Sequence, residues 1–529
     1  MKRSLRLLAF GLAVALVAAA QEKVDLEAVY KIKQEAIQNS KVMDHLFWLT
    51  DAYGPRLAGA PNYKKAADWA VKTLQEWGLT NAHLESWKFG RSWENKKFAA
   101  SLVEPSYAPI YGFALAWSKS TDGVVSDEPV YAPIRAEEDM AKWKGKLKGK
   151  IVFTEPVRNQ ELLEKGFSNR YTAEELAQME MAPEPGVSGM MVGPVRAGQP
   201  DDPAARRAAM VAARALRQKA ATFFSEEGAA VLVSFGSRND GGTITADRGG
   251  PFDPKQPLPP AMIAITPEHY NRIVRLLEHK LPVKMEVEVK SESGDDAADC
   301  YNVIGDIPGS GPHKDEVVMI GGHLDSWQGS TGATDNGVGS AVMLEVVRVL
   351  KTLKLPLDRT VRIGLWGGEE EGLLGSREYV KKTFADPTKM ETTPEWDKLA
   401  AYYNVDNGAG KIRGVYLQGN EMVRPFFQTM LAPFKDMGVS AITIRNTGGT
   451  DHQSFDAVGL PGFQFIQDPL EYMTRTHHSN MDNYDRVPRA DLIQMSTIVS
   501  SLVFHTANRE EKLPRKPKPA ARAAGPGMF

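Results

Sequence analysis

The 529-residue sequence has one cysteine, Cys300, so no internal disulfide framework can support the fold. It also lacks an excess of charge of either sign. Its 64 Lys and Arg against 66 Asp and Glu leave a net charge of −2, and nothing global points to nucleic acid or an anionic membrane. A bilayer-spanning run is missing too: the N-terminal apolar stretch from Leu7 to Ala20 falls short of the ~20 residues a spanning helix needs. With Lys2, Arg3 and Arg6 before it and Ala18-Ala-Ala20 at its end, it reads as a secretory signal peptide over 1–20. Gln21 rather than a cysteine follows, so a lipid-anchored start is not expected, and the chain should be periplasmic or extracellular. No repeat period is visible.

What is present is ordinary soluble material, 42% apolar and 25% charged, in a chain too long for one core. From Leu26 to Trp77 the periodicity is helical, with a break at Asp51-Ala-Tyr-Gly-Pro-Arg56 and a stop at Gly78. Asn81 to Lys88 reads as a strand. Between Ser106 and Ser291 strands such as Leu147–Phe153 and Ala229–Ser234 dominate, around a Pro-, Gly- and Ala-rich loop and a basic helix over 181–215. From Tyr301 to Val499 strands and helices alternate. The expected organisation is a mixed, mostly parallel α/β sheet flanked by helices (21–105 plus 292–509), split by a β-rich insert over 106–291. Residues 510–529, basic and poor in apolar side chains, are expected to form a disordered tail.

Five candidate metal ligands follow one another: His323, Asp335, Glu370, Asp406 and His478. Several end segments that read as buried strands, as in Val317-Val-Met-Ile-Gly-Gly-His-Leu-Asp325 and Val361-Arg-Ile-Gly-Leu-Trp-Gly-Gly-Glu-Glu-Glu371. Apolar strands do not normally run into carboxylates unless a cation neutralises them. Two histidines and three carboxylates suit two adjacent zinc ions, one carboxylate bridging. Asp325 is placed to orient the His323 ring. Asp335, before the helix Val338–Leu350, can cap it as well as bind metal, and Gly332 and Gly337 permit close backbone approach. Within Glu369-Glu370-Glu371 one acid can bind metal while its neighbour acts as general base.

The segments Gly322-His-Leu-Asp-Ser-Trp327, Thr334-Asp-Asn-Gly337, Trp366-Gly-Gly-Glu-Glu-Glu-Gly-Leu-Leu-Gly-Ser376 and His478-Ser-Asn-Met-Asp482 resemble, in order, motifs of the co-catalytic zinc exopeptidases. That family includes secreted bacterial aminopeptidases and plasma glutamate carboxypeptidase (carboxypeptidase Q). The insert resembles the protease-associated domain of relatives, chiefly at Lys148-Gly-Lys-Ile-Val152. The resemblance implies two Zn²⁺ per chain: His323 and Asp406 on one, Glu370 and His478 on the other, Asp335 bridging. It implies Glu369 as general base and Asp325 as the acid behind His323. Gln328 departs from the acid often found there, and His477 stands where secreted aminopeptidases can carry an oxyanion-binding Tyr, a role for which Tyr472 is the other candidate. The implied reaction is hydrolysis of a terminal peptide bond, as an aminopeptidase or dipeptidase, with a carboxypeptidase or a glutaminyl cyclase on the same fold as alternatives. The expected partners are a peptide substrate and at most a second copy of the chain in a homodimer, with no nucleic acid and no stable membrane span.

Overall fold

A computed structural model describes residues 22–158, 166–183, 203–236, 241–246 and 248–521. The leader expected at 1–20, the end of the tail beyond 521 and most of the loop before the basic helix lie outside the described residues. No helix among the described residues is long and apolar enough to cross a membrane.

The large sheet has ten strands. Its centre is four parallel strands in the order Gly462–Gln467, Leu399–Asn404, Val317–His323 and Thr360–Trp366. Antiparallel pairings flank this block: Ile412–Tyr416 on Gly462–Gln467, and Lys284–Ile307 on Thr360–Trp366. Every residue of Val317–His323, Leu399–Asn404 and Gly462–Gln467 is buried, as expected for strands covered on both faces. Alternate side chains serve two cores. Val318 and Ile320 pack with Val342, Val346 and Leu502 on one face, while Val317 and Met319 join Trp366, Tyr402 and Phe455 on the other. The first face is covered by the helices Val338–Leu353 and Arg489–Ala507, the latter buried from Asp491 to its end. Three of its hydroxyls return to the helix backbone: Ser496, Thr497 and Thr506 each donate to the carbonyl four residues earlier, which keeps them paired despite burial.

The Thr80–Glu104 strand runs much further than the Asn81–Lys88 segment expected. It pairs antiparallel with Lys284–Ile307 as a long ribbon. Both strands are rich in polar residues, but Met285, Val287 and Val289 form a buried apolar stripe on the second strand that joins the pairing in carrying the ribbon past the sheet. Residues 284–291, expected in the insert, therefore belong to the large sheet. Between the ribbon strands lies a second sheet of five strands, ordered Gly112–Ala114, Ala261–Ile265, Val231–Ser234, Ile151–Phe153 and Val130–Tyr131, parallel except for the first pair. This unit is less strand-rich than expected. Its longest strand of that sheet has 5 residues, whereas the helix Pro203–Glu226 has 24 and Pro267–Glu278 has 12. The short buried runs read as strands, and the amphipathic helices between them carry weaker apolar signals.

The expected disordered tail departs from the structure over 510–521. Leu513 is buried, and Arg515 donates to the carbonyls of Trp396 and Leu399 with its guanidinium 4.2 Å from the Trp396 ring centroid. Lys516 donates to the Gln418 carbonyl and pairs with Asp456. The basic residues find carbonyl and carboxylate acceptors on the domain, which the apolar content of the segment could not reveal.

Candidate metal centre

All nine residues singled out above meet at the carboxyl ends of the central parallel strands, where ligands of open α/β sheets bind. His323 ends its strand fully buried. Its Nε2 lies 3.4 Å from Asp335 Oδ1, 3.4 Å from Asp406 Oδ1 and 3.9 Å from Glu369 Oε2. His478 Nε2 lies 3.3 Å from Asp335 Oδ2 and 2.8 Å from Glu370 Oε2. The two oxygens of Asp335 thus face two different histidines, each accompanied by its own second carboxylate. A grouping by proximity alone pairs His323 and Asp406 with Glu369, and Asp335 with His477 and His478. The shorter distances from Asp335 to His323 and from Glu370 to His478 favour the arrangement with Asp335 in the middle.

Local sequence explains the placement. Gly332 has φ +65°, and a Cβ there would meet the Ser326 Cβ at 2.2 Å, so only glycine lets this loop pass so close to the strand end. Asp482 accepts from the N–H groups of Thr334 and Asp335, and its own carbonyl accepts from Gly332 N–H. Asn336 donates to the Val405 carbonyl and accepts from Gly339 N–H, tying the loop to the Asp406 segment and to the following helix. Gly368, at φ +70°, turns the chain from the Thr360–Trp366 strand into Glu369–Glu371.

Asp325 faces the His323 ring and also holds the neighbouring acids. The ring's Nδ1 faces the Asp325 backbone carbonyl at 3.1 Å, and the carboxylate stands 3.6 Å away. The carboxylate oxygens also accept from the N–H groups of Glu369 and Glu370 at 3.2 and 3.1 Å, so Asp325 fixes the acid-bearing turn. Tyr472 donates its hydroxyl to Asp335 Oδ1 at 3.0 Å. His477 is stacked on His478, ring centroids 3.7 Å apart, with its Nε2 3.8 Å from Asp335. Gln328, at the rim, reaches the Ala114 carbonyl of the smaller sheet at 3.4 Å.

The electrostatics ask for a cation. His323 Nε2, Asp335 Oδ2, Glu370 Oε1 and Asp406 Oδ1 are buried without a hydrogen-bond partner among the described residues. Burial pushes Glu369 well above the usual carboxylate range against the pull of His323, and Asp406, Asp451 and Glu370 push it further. Burial and then Asp335 do the same to Glu370, and burial and then Asp325 to Glu371. Burial opposes the charge on His323, but Asp406, Glu369, Asp325 and Asp335 outweigh it and hold its pKa high. Buried acids that resist ionisation around donor atoms without partners fit a bound divalent cation, whose charge reverses this balance. The donor set, imidazole nitrogen and carboxylate oxygen, suits zinc.

Sequence reasoning missed Arg56. It is fully buried and donates to the carbonyls of Leu324, Leu49, Thr331 and Gly332, joining the strand end to the Asp335 loop. Burial lowers its pKa to about 10, with Asp482 and Asp325 opposing. Its signal was the break 51–56, legible as a loop but not as a clamp. Asp451 was missed as well: it is fully buried behind the site, and burial raises its pKa to about 7.

A mixed α/β sheet with paired histidine–carboxylate sets at its strand ends makes a candidate metal centre. Comparison with known proteins narrows the class. Residues 302–503 match the family model of Peptidase family M28. Carboxypeptidase Q of Mus musculus is 26% identical over 474 residues, covering 89% of this chain and 87% of the relative. The crystal structure of a Peptidase M28 precursor from Shewanella amazonensis SB2B superposes with a TM-score of 0.65 at 25% identity, covering 93% of this chain and 98% of that one. BSAP, a zinc aminopeptidase from Bacillus subtilis, shares the fold at 19% identity with a TM-score of 0.55, over 89% of this chain and 95% of its own. Residues 302–503 are thus similar to Peptidase family M28, and this match and the zinc aminopeptidase neighbours support a metallopeptidase.

Proposed function

We propose that the protein is an exported exopeptidase that holds two zinc ions per chain and cleaves the terminal peptide bond of peptides or dipeptides, as an aminopeptidase or dipeptidase. The observation that carries this reading is Asp335, whose two oxygens lie 3.4 and 3.3 Å from the Nε2 atoms of two different histidines. His323 and Asp406 would hold one ion, Glu370 and His478 the other, and Asp335 both. Bound there, zinc would supply Lewis acidity for the scissile carbonyl and make water nucleophilic near neutral pH. Export rests on the leader-like sequence at 1–20.

Glu369 is the general base. Its burial and raised pKa keep it ready to take the proton of the attacking water and return it to the leaving amine. Asp325 holds the backbone of the acid turn, so Glu369 and Glu370 diverge from one fixed segment. Tyr472 donates its hydroxyl to Asp335 and orients that carboxylate, and His477, also beside Asp335, shares with Tyr472 the candidacy for binding the substrate oxygen. The surplus of carboxylates suits a substrate's α-ammonium group, which favours attack at the amino end.

The test compares kcat/KM for one peptide with free ends, N-acetylated and C-terminally amidated. A charge-assisted hydrogen bond contributes roughly 1.5–3 kcal/mol, so acetylation should slow cleavage by about one to two orders of magnitude while amidation has little effect. The reverse pattern would replace this reading with a carboxypeptidase, which the name of the 26%-identical relative favours.

A further inference from the structure

The loop that carries His478 is not held by its own domain alone. Residues 242–246, which lead from the second strand block of the smaller unit toward Ala261–Ile265, pair with it in antiparallel fashion around Thr245 and Ser479. Ala246 N–H donates to the His478 carbonyl at 2.6 Å, and Asn480 N–H donates to the Ile244 carbonyl at 3.0 Å. The Asn480 side chain closes both ends of the contact: its Oδ1 accepts from Ile244 N–H at 2.7 Å and its Nδ2 donates to the Gly242 carbonyl at 3.1 Å. Thr243, Ile244, Thr245 and Ala246 are all buried. Behind them Gly236, at φ +77°, packs so tightly that a Cβ would meet Thr245 Oγ1 at 2.3 Å. The segment is therefore braced from the smaller sheet.

His478 itself has φ +54°, the left-handed region that a β-carbon disfavours. A residue held there needs its surroundings to over-determine it. Glu370 and Asp335 face the ring, but the hydrogen bond to its own carbonyl comes from Ala246 in the smaller unit. We propose that Asn480 and the 242–246 segment form a positioning element for the His478 metal position, so that the smaller unit sets zinc affinity at one of the two positions and leaves the other alone. This rests on the two-zinc reading above.

Zinc itself, titrated calorimetrically into the full-length metal-free chain, tests it in wild type and in Asn480→Ala, Asn480→Asp and His478→Ala. Supporting groups around a metal ligand are typically worth 10–100-fold in affinity, so Asn480→Ala should weaken one position by about tenfold or more and leave the other unchanged. Asn480→Asp, which keeps the acceptor for Ile244 N–H but loses the donor to Gly242, should fall between. His478→Ala should abolish the same position. Two wild-type-like affinities in Asn480→Ala, or equal weakening of both, would overturn the positioning role while leaving the two-zinc reading intact. Failure of both Asn480 variants to fold would also overturn it, because the contact would then be structural. Fewer than two zinc ions in wild type would overturn both readings together.

Discussion

Two groups of buried acids lie at the ends of neighbouring parallel strands, and they are treated in opposite ways. Asp468, directly after Gly462–Gln467, accepts from Arg170 Nη1 at 2.9 Å, Arg413 Nη1 at 2.8 Å and Tyr171 N–H at 3.1 Å. Asp491 beside it accepts from the same Arg170 at 2.7 Å and from Lys411 N–H. Here the chain supplies its own cations. At the strand ends carrying His323, Glu369, Glu370 and Asp406 the acids are as deeply placed, yet the one buried guanidinium nearby, Arg56, gives its hydrogen bonds to four backbone carbonyls. Burying an unpaired charge costs several kcal/mol, so a fold that satisfies one acid cluster internally and leaves the next one open has kept the second for a cation from outside.

The sharpest way to exploit this contrast is to change one acid's chemistry without its shape. Glu369→Gln keeps size and hydrogen bonding but cannot accept a proton. Turnover should fall by about 10²–10⁴-fold while zinc content, read by elemental analysis, stays near wild type. Near-normal activity in the zinc-loaded variant would shift the base to Glu371. Glu371 is buried, and neither of its oxygens has a hydrogen-bond partner among the described residues.

Removing the metal should expose the difference next. Occupancy at 100 times Kd stabilises a fold by about 2.7 kcal/mol per site, so zinc should raise the melting temperature measurably. The pH dependence has a defined sign. Glu369, Glu370, Glu371 and His323 all have raised folded-state pKa values. Without metal, their contribution to stability is present below their unfolded values and is lost as pH rises through the folded ones. The zinc-loaded form behaves oppositely, because protons compete with zinc for the same atoms. The melting-temperature gap between loaded and zinc-free protein should narrow from pH 7.5 to 5.5; a constant gap would mean these acids do not hold the metal.

The internally paired cluster should respond to neither treatment. Arg413→Ala strips one charged donor from Asp468 and leaves Arg170, so it should lower stability by about 1–3 kcal/mol by chemical denaturation. Zinc affinity should be unchanged. A loss of zinc on this substitution would show that the two clusters are coupled and would blunt the contrast.

How much of this could be read from the chain follows the same division. The candidate ligand positions stood out where an apolar pattern stops: His323 ends a buried strand, Glu370 follows one, and Asp335 stands between glycines, whereas His478 lies in a polar loop. The parallel core was legible for the same reason. Groups that act through the backbone were not. Arg56 looks like an ordinary loop residue, and the backbone-holding roles of Asn480 and Asp482 within their motif stay hidden, until their carbonyl and N–H partners, distant in sequence, are seen. The ribbon Thr80–Glu104 with Lys284–Ile307 was underestimated because the first strand is mostly polar and half-buried, the buried stripe Met285, Val287 and Val289 lying on its partner, and the docked segment 510–521 because its anchors are cationic rather than apolar. Only half of the Asp325 role was visible in the two-residue spacing: it faces the His323 ring, while its carboxylate also accepts from the N–H groups of the turn after Thr360–Trp366.

The central claim is that the unpaired acids hold a bridged pair of ions, and Asp335 tests it most directly because only a bridging carboxylate belongs to both positions. Calorimetric zinc titration of metal-free wild type, Asp335→Ala, Glu370→Ala and His478→Ala should give two ions per chain in wild type, weakening at both positions in Asp335→Ala, and loss mainly at one in each of the others. One ion or none in wild type, or the same single-position loss from all three substitutions, would contradict it.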